Sequence, residues 1–372
     1  MKILYFSRDY TTHDFRFLTV LAKTEHEIGF LRSEPCRRVL ESRPVPQKVT
    51  QINWFGNQSH TRWYHLPILV AGLKKVIREF QPDLIHAGPI QRSAFLTALA
   101  GFHPLVTMSW GYDLLFDVHQ NQAWKWATRF TLKNSDLLIA DCKTIKELAV
   151  AFGMASDRVV IFPWGVDIKK YTPIGDKEDS PIRQQLGWGK NNFVLISTRT
   201  WSELYGVNDL AKAFSQAVKQ HPNLRLLMLG DGPLGPKIKK IFSKSGVCDF
   251  VHFPGHISQD VLPEYYQAAD LYISSSHSDG TSISLLEALA CGIPALLTDI
   301  PGNKEWIEVP GEIGWLYKDG DANDLTQGIH YAYENQNLLP AMARQARRVS
   351  ELKGDWQKNF PRLFEAYRIA QS

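Results

Sequence analysis

Asp279 and Glu287 stand eight positions apart across Gly280, Thr281, Ser282, Ile283 and Ser284, in a run that makes an Asp-Gly turn, opens a helix and stops at Gly292. Thr281, Ser282 and Ser284 are cap-type residues where a helix start leaves N–H groups unpaired, and such an end holds a phosphate through hydrogen bonds and the macrodipole. Two carboxylates beside an anion site would repel the ligand unless it brings hydroxyls for them to accept from. The pattern therefore fits a ligand with both phosphate and sugar. A capped helix in which Glu287 only complements the dipole uses the same residues.

Further candidates lie at the ends of apolar runs. Arg199 follows the run Phe193–Thr198, where a guanidinium is a fixed fork for phosphate oxygens or one half of an interdomain salt bridge. Asp113 closes the segment Val106–Asp113 and fits either a functional carboxylate or a helix cap. His86 ends a short strand and faces either a cleft or the core. His13, Asp14 and Arg16 follow the first strand, where an ordinary capped helix start is the competing reading. Asp231 in Gly-Asp-Gly and the pair Asp319 and Asp321 sit at turn positions where Asp is expected in any case, so no metal site and no cofactor is expected. Cys36, Cys142, Cys248 and Cys291 are far apart without a CxxC pair, which signals neither zinc nor a disulfide framework and favours a reducing, cytoplasmic setting.

The elements that must carry these residues follow from period and punctuation. A chain of 372 residues, 44% hydrophobic and 22% charged, is long enough for two globular domains. Lys2–Phe6, Leu84–His86, Leu105–Ser109, Leu137–Ala140 and Val159–Phe162 read as strands, with helices at Phe15–Ala22, Ile68–Phe80, Ala123–Lys133 and Lys143–Phe152 among them. After Pro163-Trp164-Gly165-Val166-Asp167 an irregular stretch to Lys190 marks the interdomain connection. The same alternation then restarts, with strands Phe193–Thr198, Arg225–Leu229, Val251–Phe253, Leu271–Ser274, Ala295–Thr298 and Gly314–Tyr317. Alternating strands and helices imply parallel sheets, here an α/β chain of two doubly wound, Rossmann-like domains over residues 1–166 and 167–352, with 353–372 a terminal helix that crosses back to the first domain. Ligands in such sheets bind outside the carboxyl ends of the strands.

The net charge is +6 over residues 1–166 and −2 over the remainder. Lys74, Lys75 and Arg78, and Trp124, Lys125 and Trp126 with Arg129 and Lys133, put basic and aromatic groups on surface helices, the mix of a lipid headgroup interface or of a solvated face with Trp in the core. No apolar run reaches the length of a membrane span. Nucleic acid is disfavoured, since neither a recognised module nor a dense basic stripe is present.

The Asp279 to Glu287 segment resembles the Glu-x7-Glu signature of family 4 retaining glycosyltransferases of GT-B fold, with Asp279 in place of the first Glu. The resemblance continues through Pro163–Asp167, Gly230-Asp231-Gly232-Pro233, Pro254-Gly255-His256-Ile257 and Tyr265–Asp270, in the family's order. It implies that Glu287 holds the ribose hydroxyls of a nucleotide, that Asp279 contacts the donor sugar, that Gly280, Thr281, Ser282 and Ile283 meet sugar and phosphate, and that Ile257 reads the base. Arg199 would grip the diphosphate. Two departures stand out: Tyr205 replaces the usual second diphosphate cation, a Lys, and Trp110 replaces the His of the family's His-Gly-x-Asp motif, whose carboxylate is Asp113. Arg199, Asp279 and Asp113 are thus the expected catalytic groups, with His13, Asp14, His86 and Trp110 on the acceptor side. The resemblance implies metal-independent transfer of a hexose, glucose from UDP-glucose on family base rates, to a glycan or lipid-linked acceptor in cell-surface polysaccharide synthesis, at the cytoplasmic membrane face. Its rivals are a nucleotide-sugar-binding relative without turnover and an epimerase or phosphorylase on the same fold.

Overall fold

Strands of four to six apolar residues that are buried on both faces pair in parallel when a helix separates each from the next. A computed structural model describes residues 1–35, 41–58 and 62–372; Cys36 lies outside them. The chain divides into two units, Met1–Phe162 with Phe360–Ser372, and Pro163–Asn359.

The first unit holds strands β1 (Lys2–Ser7), β2 (Glu27–Arg32), β3 (Val49–Ile52), β4 (Leu84–Ala87), β5 (Leu105–Met108), β6 (Leu137–Ala140) and β7 (Val159–Ile161). They form one parallel sheet in the order β3-β2-β1-β4-β5-β6-β7. The helix after β1 runs Thr12–Leu21, earlier than its apolar period suggests, because Thr11 and Asp14 form a capping box. A π-helical turn, Ile90–Ala94, leads into the helix Phe95–Ala100 after β4. The terminal helix Pro361–Gln371 buries Leu363, Ala366 and Tyr367 and packs on β5 and β6.

The second unit repeats the design with β8 (Phe193–Ser197), β9 (Leu224–Met228), β10 (Val251–His252), β11 (Leu271–Ser274), β12 (Ala295–Thr298) and β13 (Gly314–Tyr317), all parallel in the order β10-β9-β8-β11-β12-β13. Residues before β8 are pinned to this sheet. Buried Arg183 donates to Asp270 at 2.6 Å and to the Ala268 carbonyl at 2.8 Å, Lys177 reaches the same carboxylate at 2.9 Å, and Asp270 also accepts the Val194 N–H at 2.7 Å. Arg347, in the helix Leu339–Lys353, donates to the carbonyls of Tyr171 and Ala290 at 2.8 and 2.7 Å. Asp321 caps the helix Ala322–Glu334, and Asp319 accepts from His277 Nδ1 at 2.6 Å, so both acids of that turn are engaged locally.

In each sheet the order turns back at one place, between β1 and β4 and between β8 and β11. Crossovers leave in opposite directions there, which opens a crevice at the carboxyl ends of the two strands. No helix among the described residues is long and apolar enough to cross a membrane.

Candidate functional site

Arg199 lies two residues beyond β8 and Asp279 five beyond β11, so the turn-back point of the second sheet delivers both to one place. Arg199 Nη2 donates to Asp279 Oδ2 at 2.6 Å, and Nη1 donates to Ser282 Oγ at 2.7 Å and Ser284 Oγ at 3.0 Å. The guanidinium carbon sits 4.3 Å from the centre of the Tyr205 ring, a cation–π arrangement. Its Nε is buried without a hydrogen-bond partner. Burial works against the charge of Arg199, but Asp279, Tyr272 and Tyr205 more than offset it and hold the guanidinium above its ordinary range. Burial also pushes the Asp279 carboxyl up, against the pull of Arg199 and the Gly280 and Ser282 hydrogen bonds.

The backbone that presents Arg199 is itself held. Trp201 donates its N–H to the Asp231 carbonyl at 3.0 Å and its indole Nε1 to the Leu229 carbonyl at 3.0 Å, which seats the loop on the Gly-Asp-Gly turn. Tyr205 ends a 3-10 turn and is followed by Gly206 at φ +56°, where an added Cβ would overlap the Ser275 carbonyl oxygen. Only glycine fits that approach.

The helix Ile283–Ala290 starts at Ser282, whose hydroxyl caps nothing because Arg199 claims it. Leu286 is the first residue whose N–H reaches back into the turn, to the Ser282 carbonyl at 3.1 Å, so the N–H groups before it have no intrahelical acceptor. Ser284 Oγ is 2.8 Å from the Tyr272 hydroxyl. Glu287, 3% exposed, lies one turn further in with Oε2 3.1 Å from the Tyr266 hydroxyl. Ile257 is half-buried against the same core cluster. Arg199, Asp279, Ser282, Ser284 and Glu287 therefore share one crevice, as the sequence pattern suggests. Tyr266 and Tyr272, which brace Glu287 and Ser284, were missed: both read as ordinary apolar positions of a helix and a strand. Tyr205, which stands where the resembled family carries a Lys, sets its ring face under Arg199.

The acceptor-side candidates fare differently. Asp113 was expected to be catalytic, but it is fully buried and its oxygens accept from Ser109 Oγ at 2.6 Å and from the N–H groups of Leu114, Ile90 and Trp110 at 3.0, 3.1 and 3.2 Å. That is a carboxylate tying the ends of β4 and β5 together; the N-cap of the helix Tyr112–Leu115 is Gly111, without a side-chain cap. Asp14 likewise belongs to its helix cap, accepting from Thr11 N and Oγ1 at 2.7 and 2.6 Å and from the Tyr5 hydroxyl at 3.1 Å; burial raises it to about 6. His86 is a core residue, 1% exposed, with Nδ1 2.7 Å from the Tyr367 hydroxyl and its ring against Tyr5 and Phe17; burial lowers it to about 3. His13 and Trp110 do come together, edge to face at 5.0 Å between ring centres, and His13 Nδ1 and Trp110 Nε1 are both buried without hydrogen-bond partners. Burial, with Arg16 adding to it, lowers His13 to about 3, so it is neutral.

Two family models match the chain. Glycosyltransferase Family 4 covers residues 12–170, and Glycosyl transferases group 1 covers residues 178–349. Sulfoquinovosyl transferase SQD2 of Arabidopsis thaliana is 23% identical over 338 residues, which take in 84% of this chain and 62% of that protein. The chain thus spans about three-fifths of that relative's length. The alpha-monoglucosyldiacylglycerol synthase of Acholeplasma laidlawii is 22% identical over 338 residues, 86% of this chain and 83% of that one. Among solved structures, Anabaena HepE in complex with UDP-glucose superposes with a TM-score of 0.81 at 22% identity over 99% of each chain, a likeness of fold. With a family 4 domain followed by a group 1 domain, on two parallel sheets that turn back as in GT-B enzymes, the chain belongs to the family 4 glycosyltransferases.

Proposed function

We propose that the protein transfers a hexose from a nucleotide diphosphate sugar, with UDP-glucose the leading donor, to a glycan or lipid-linked acceptor with retention of anomeric configuration. The observation that carries this reading is Arg199, whose buried guanidinium converges with Asp279, Ser282 and Ser284 at the turn-back point and keeps one N–H without a partner. A diphosphate oxygen would satisfy that donor. Glu287, set one helical turn from the N–H groups that would meet phosphate, is spaced to accept from ribose hydroxyls.

Charge developing on the leaving diphosphate is stabilised by groups already in position, the Arg199 guanidinium and the start of the helix Ile283–Ala290. We assign no metal ion to this step. Asp279 orients the sugar, and the acceptor hydroxyl attacks from the face the diphosphate leaves. Support for UDP-glucose comes from HepE, solved with that compound, and support for a lipid acceptor from the diacylglycerol named in the Acholeplasma relative. Work at the cytoplasmic face of a membrane fits such an acceptor.

The test is to offer purified protein a panel of nucleotide sugars and follow nucleoside diphosphate release, with chelator added in a parallel arm and thermal shift measured alongside. Release from one donor, unchanged by chelator, is expected. Free sugar with an altered configuration would favour an epimerase, binding without release a donor-binding module, and no shift with any donor would overturn the reading.

A further inference from the structure

The second unit carries a groove of about 560 Å³ that the donor site does not use. It lies along β13, the last strand of its sheet, against one stripe of the helix Ala322–Glu334. Asp324, Gln327, Gly328, Tyr331 and Glu334 make that stripe, recurring at three or four residues, and from the first to the last it runs about 15 Å. Trp315 of β13 meets Tyr331 edge to face at 5.6 Å between ring centres, and Tyr331 is 49% exposed.

Two side chains of the lining are more than nine-tenths buried and hold polar atoms without hydrogen-bond partners. Tyr317 lacks one for its hydroxyl, and His330 for both ring nitrogens. The neighbour that packs on His330 does not supply one. His221, stacked on Tyr333 at 4.1 Å, stands edge to face with His330 at 4.9 Å, and its own Nε2 is unpartnered. Buried polar groups are paired as a rule, because leaving one unmade costs its full desolvation.

The chemistry of these groups narrows what would pair them. Burial and His221 keep His330 below its ordinary range against the pull of Glu334, so the ring is neutral and offers one donor and one acceptor. Burial and the carboxylates of Asp209, Asp319 and Asp324 hold the Tyr317 phenol well above its ordinary range, so it keeps its proton and can both give and accept. Asp324 spends one oxygen on the Lys318 N–H at 2.7 Å. Among the described residues no Lys or Arg lines the groove, while Asp324 and Glu334 do, which turns an anion away. An amine brings donors alone and would leave the His330 donor unmet. Hydroxyls give and accept, and the C–H face of a pyranose packs on aromatic rings.

From this match we infer that the groove binds a neutral oligosaccharide lengthwise, with sugar rings on Trp315 and Tyr331 and hydroxyls paired to Tyr317, His330 and Glu334. That this glycan is part of the acceptor rests on the transferase reading above; the binding itself does not.

Maltohexaose, cellohexaose and N-acetylchitohexaose are the probes, titrated calorimetrically into the full chain with glucose as the short control. At least one hexamer should bind saturably, at least tenfold more tightly than glucose, since the stripe is several rings long. Gln327→Trp fills the groove from an exposed position and should weaken that binding at least tenfold. Tyr331→Ala and Tyr317→Phe, the second removing the hydroxyl alone, should each weaken it about fivefold with the melting temperature kept. UDP thermal shift on the same samples reports the donor site separately and should be unchanged in every variant. No saturable binding of any hexamer, binding indifferent to Gln327→Trp, or displacement of the hexamer by spermidine would overturn the inference while leaving the donor reading intact.

Discussion

Arg199 and Asp279 face each other across the turn-back point of the second sheet, Nη2 to Oδ2 at 2.6 Å, and the same guanidinium reaches two serine hydroxyls with its other terminal nitrogen. The fork geometry is what a lysine cannot reproduce. Arg199→Lys should keep the fold and weaken UDP binding by about ten- to a hundredfold, the worth of a lost charge-assisted pair. Isothermal titration with UDP and with uridine checks this: the uridine affinity should move little, and an equal loss for both would remove Arg199 from the diphosphate.

Tyr205, at the position where the resembled family carries a Lys, supports the Arg199 guanidinium through its ring. Tyr205→Leu removes that support and should cost about 1 kcal/mol of UDP affinity, roughly fivefold. Tyr205→Lys adds a positive charge beside Arg199 and should tighten UDP while lowering the melting temperature of the unliganded protein. Titration and melting of the two variants together separate support from charge.

Asp113→Ala strips the acceptor from four donors in a fully buried site. It should destabilise the first unit by about 2–4 kcal/mol, the range for leaving buried groups unpaired. Chemical denaturation measures this, and UDP affinity should be unaffected. Loss of turnover at wild-type stability would restore Asp113 to a catalytic role.

His86 gives the first unit a pH dependence. Its folded value is lowered to about 3 by burial against Tyr5, Phe17 and Tyr367, so the unfolded chain takes up a proton before the folded one does. The stability it contributes is fully present above its ordinary value near 6.5 and is lost as pH falls toward 3, about 2 kcal/mol by pH 5. His13, lowered for the same reason, acts in the same direction. Melting temperature should fall across this window, and His86→Leu combined with Tyr367→Phe, which removes both hydrogen-bonding partners, should flatten the slope.

The parts of this molecule that a sequence reader can see are those with uninterrupted local signals. Phe193–Ser197 and Leu271–Ser274 are buried along their whole length and read as strands without aid. β2 and β3 do not. Gly29 breaks the apolar run of β2, and a Cβ there would lie 2.8 Å from the Phe80 ring, a constraint set by a residue fifty positions away. β3 is an edge strand with two exposed residues in four. The same division holds at the site. The helix start at Ser282 and the two carboxylates carry their own motif, but the stacking of Tyr205 under Arg199 is a tertiary fact. Asp14 and Asp113 bond backbone N–H groups and His86 lies in the core, because a carboxylate beside free N–H groups has the same sequence signature whether it meets a ligand or its own backbone, and a strand-end histidine reads alike in a cleft or a core.

The last helix, Pro361–Gln371, belongs to the first unit although the whole second unit precedes it in the chain. Its Tyr367 fills the space beside His86 and supplies the hydroxyl that ring bonds. During synthesis the first 162 residues leave the ribosome with that space open and an apolar flank on β5 and β6 uncovered. The unit made first is therefore completed last, and its apolar flank stays open through the interval in which the second unit is translated.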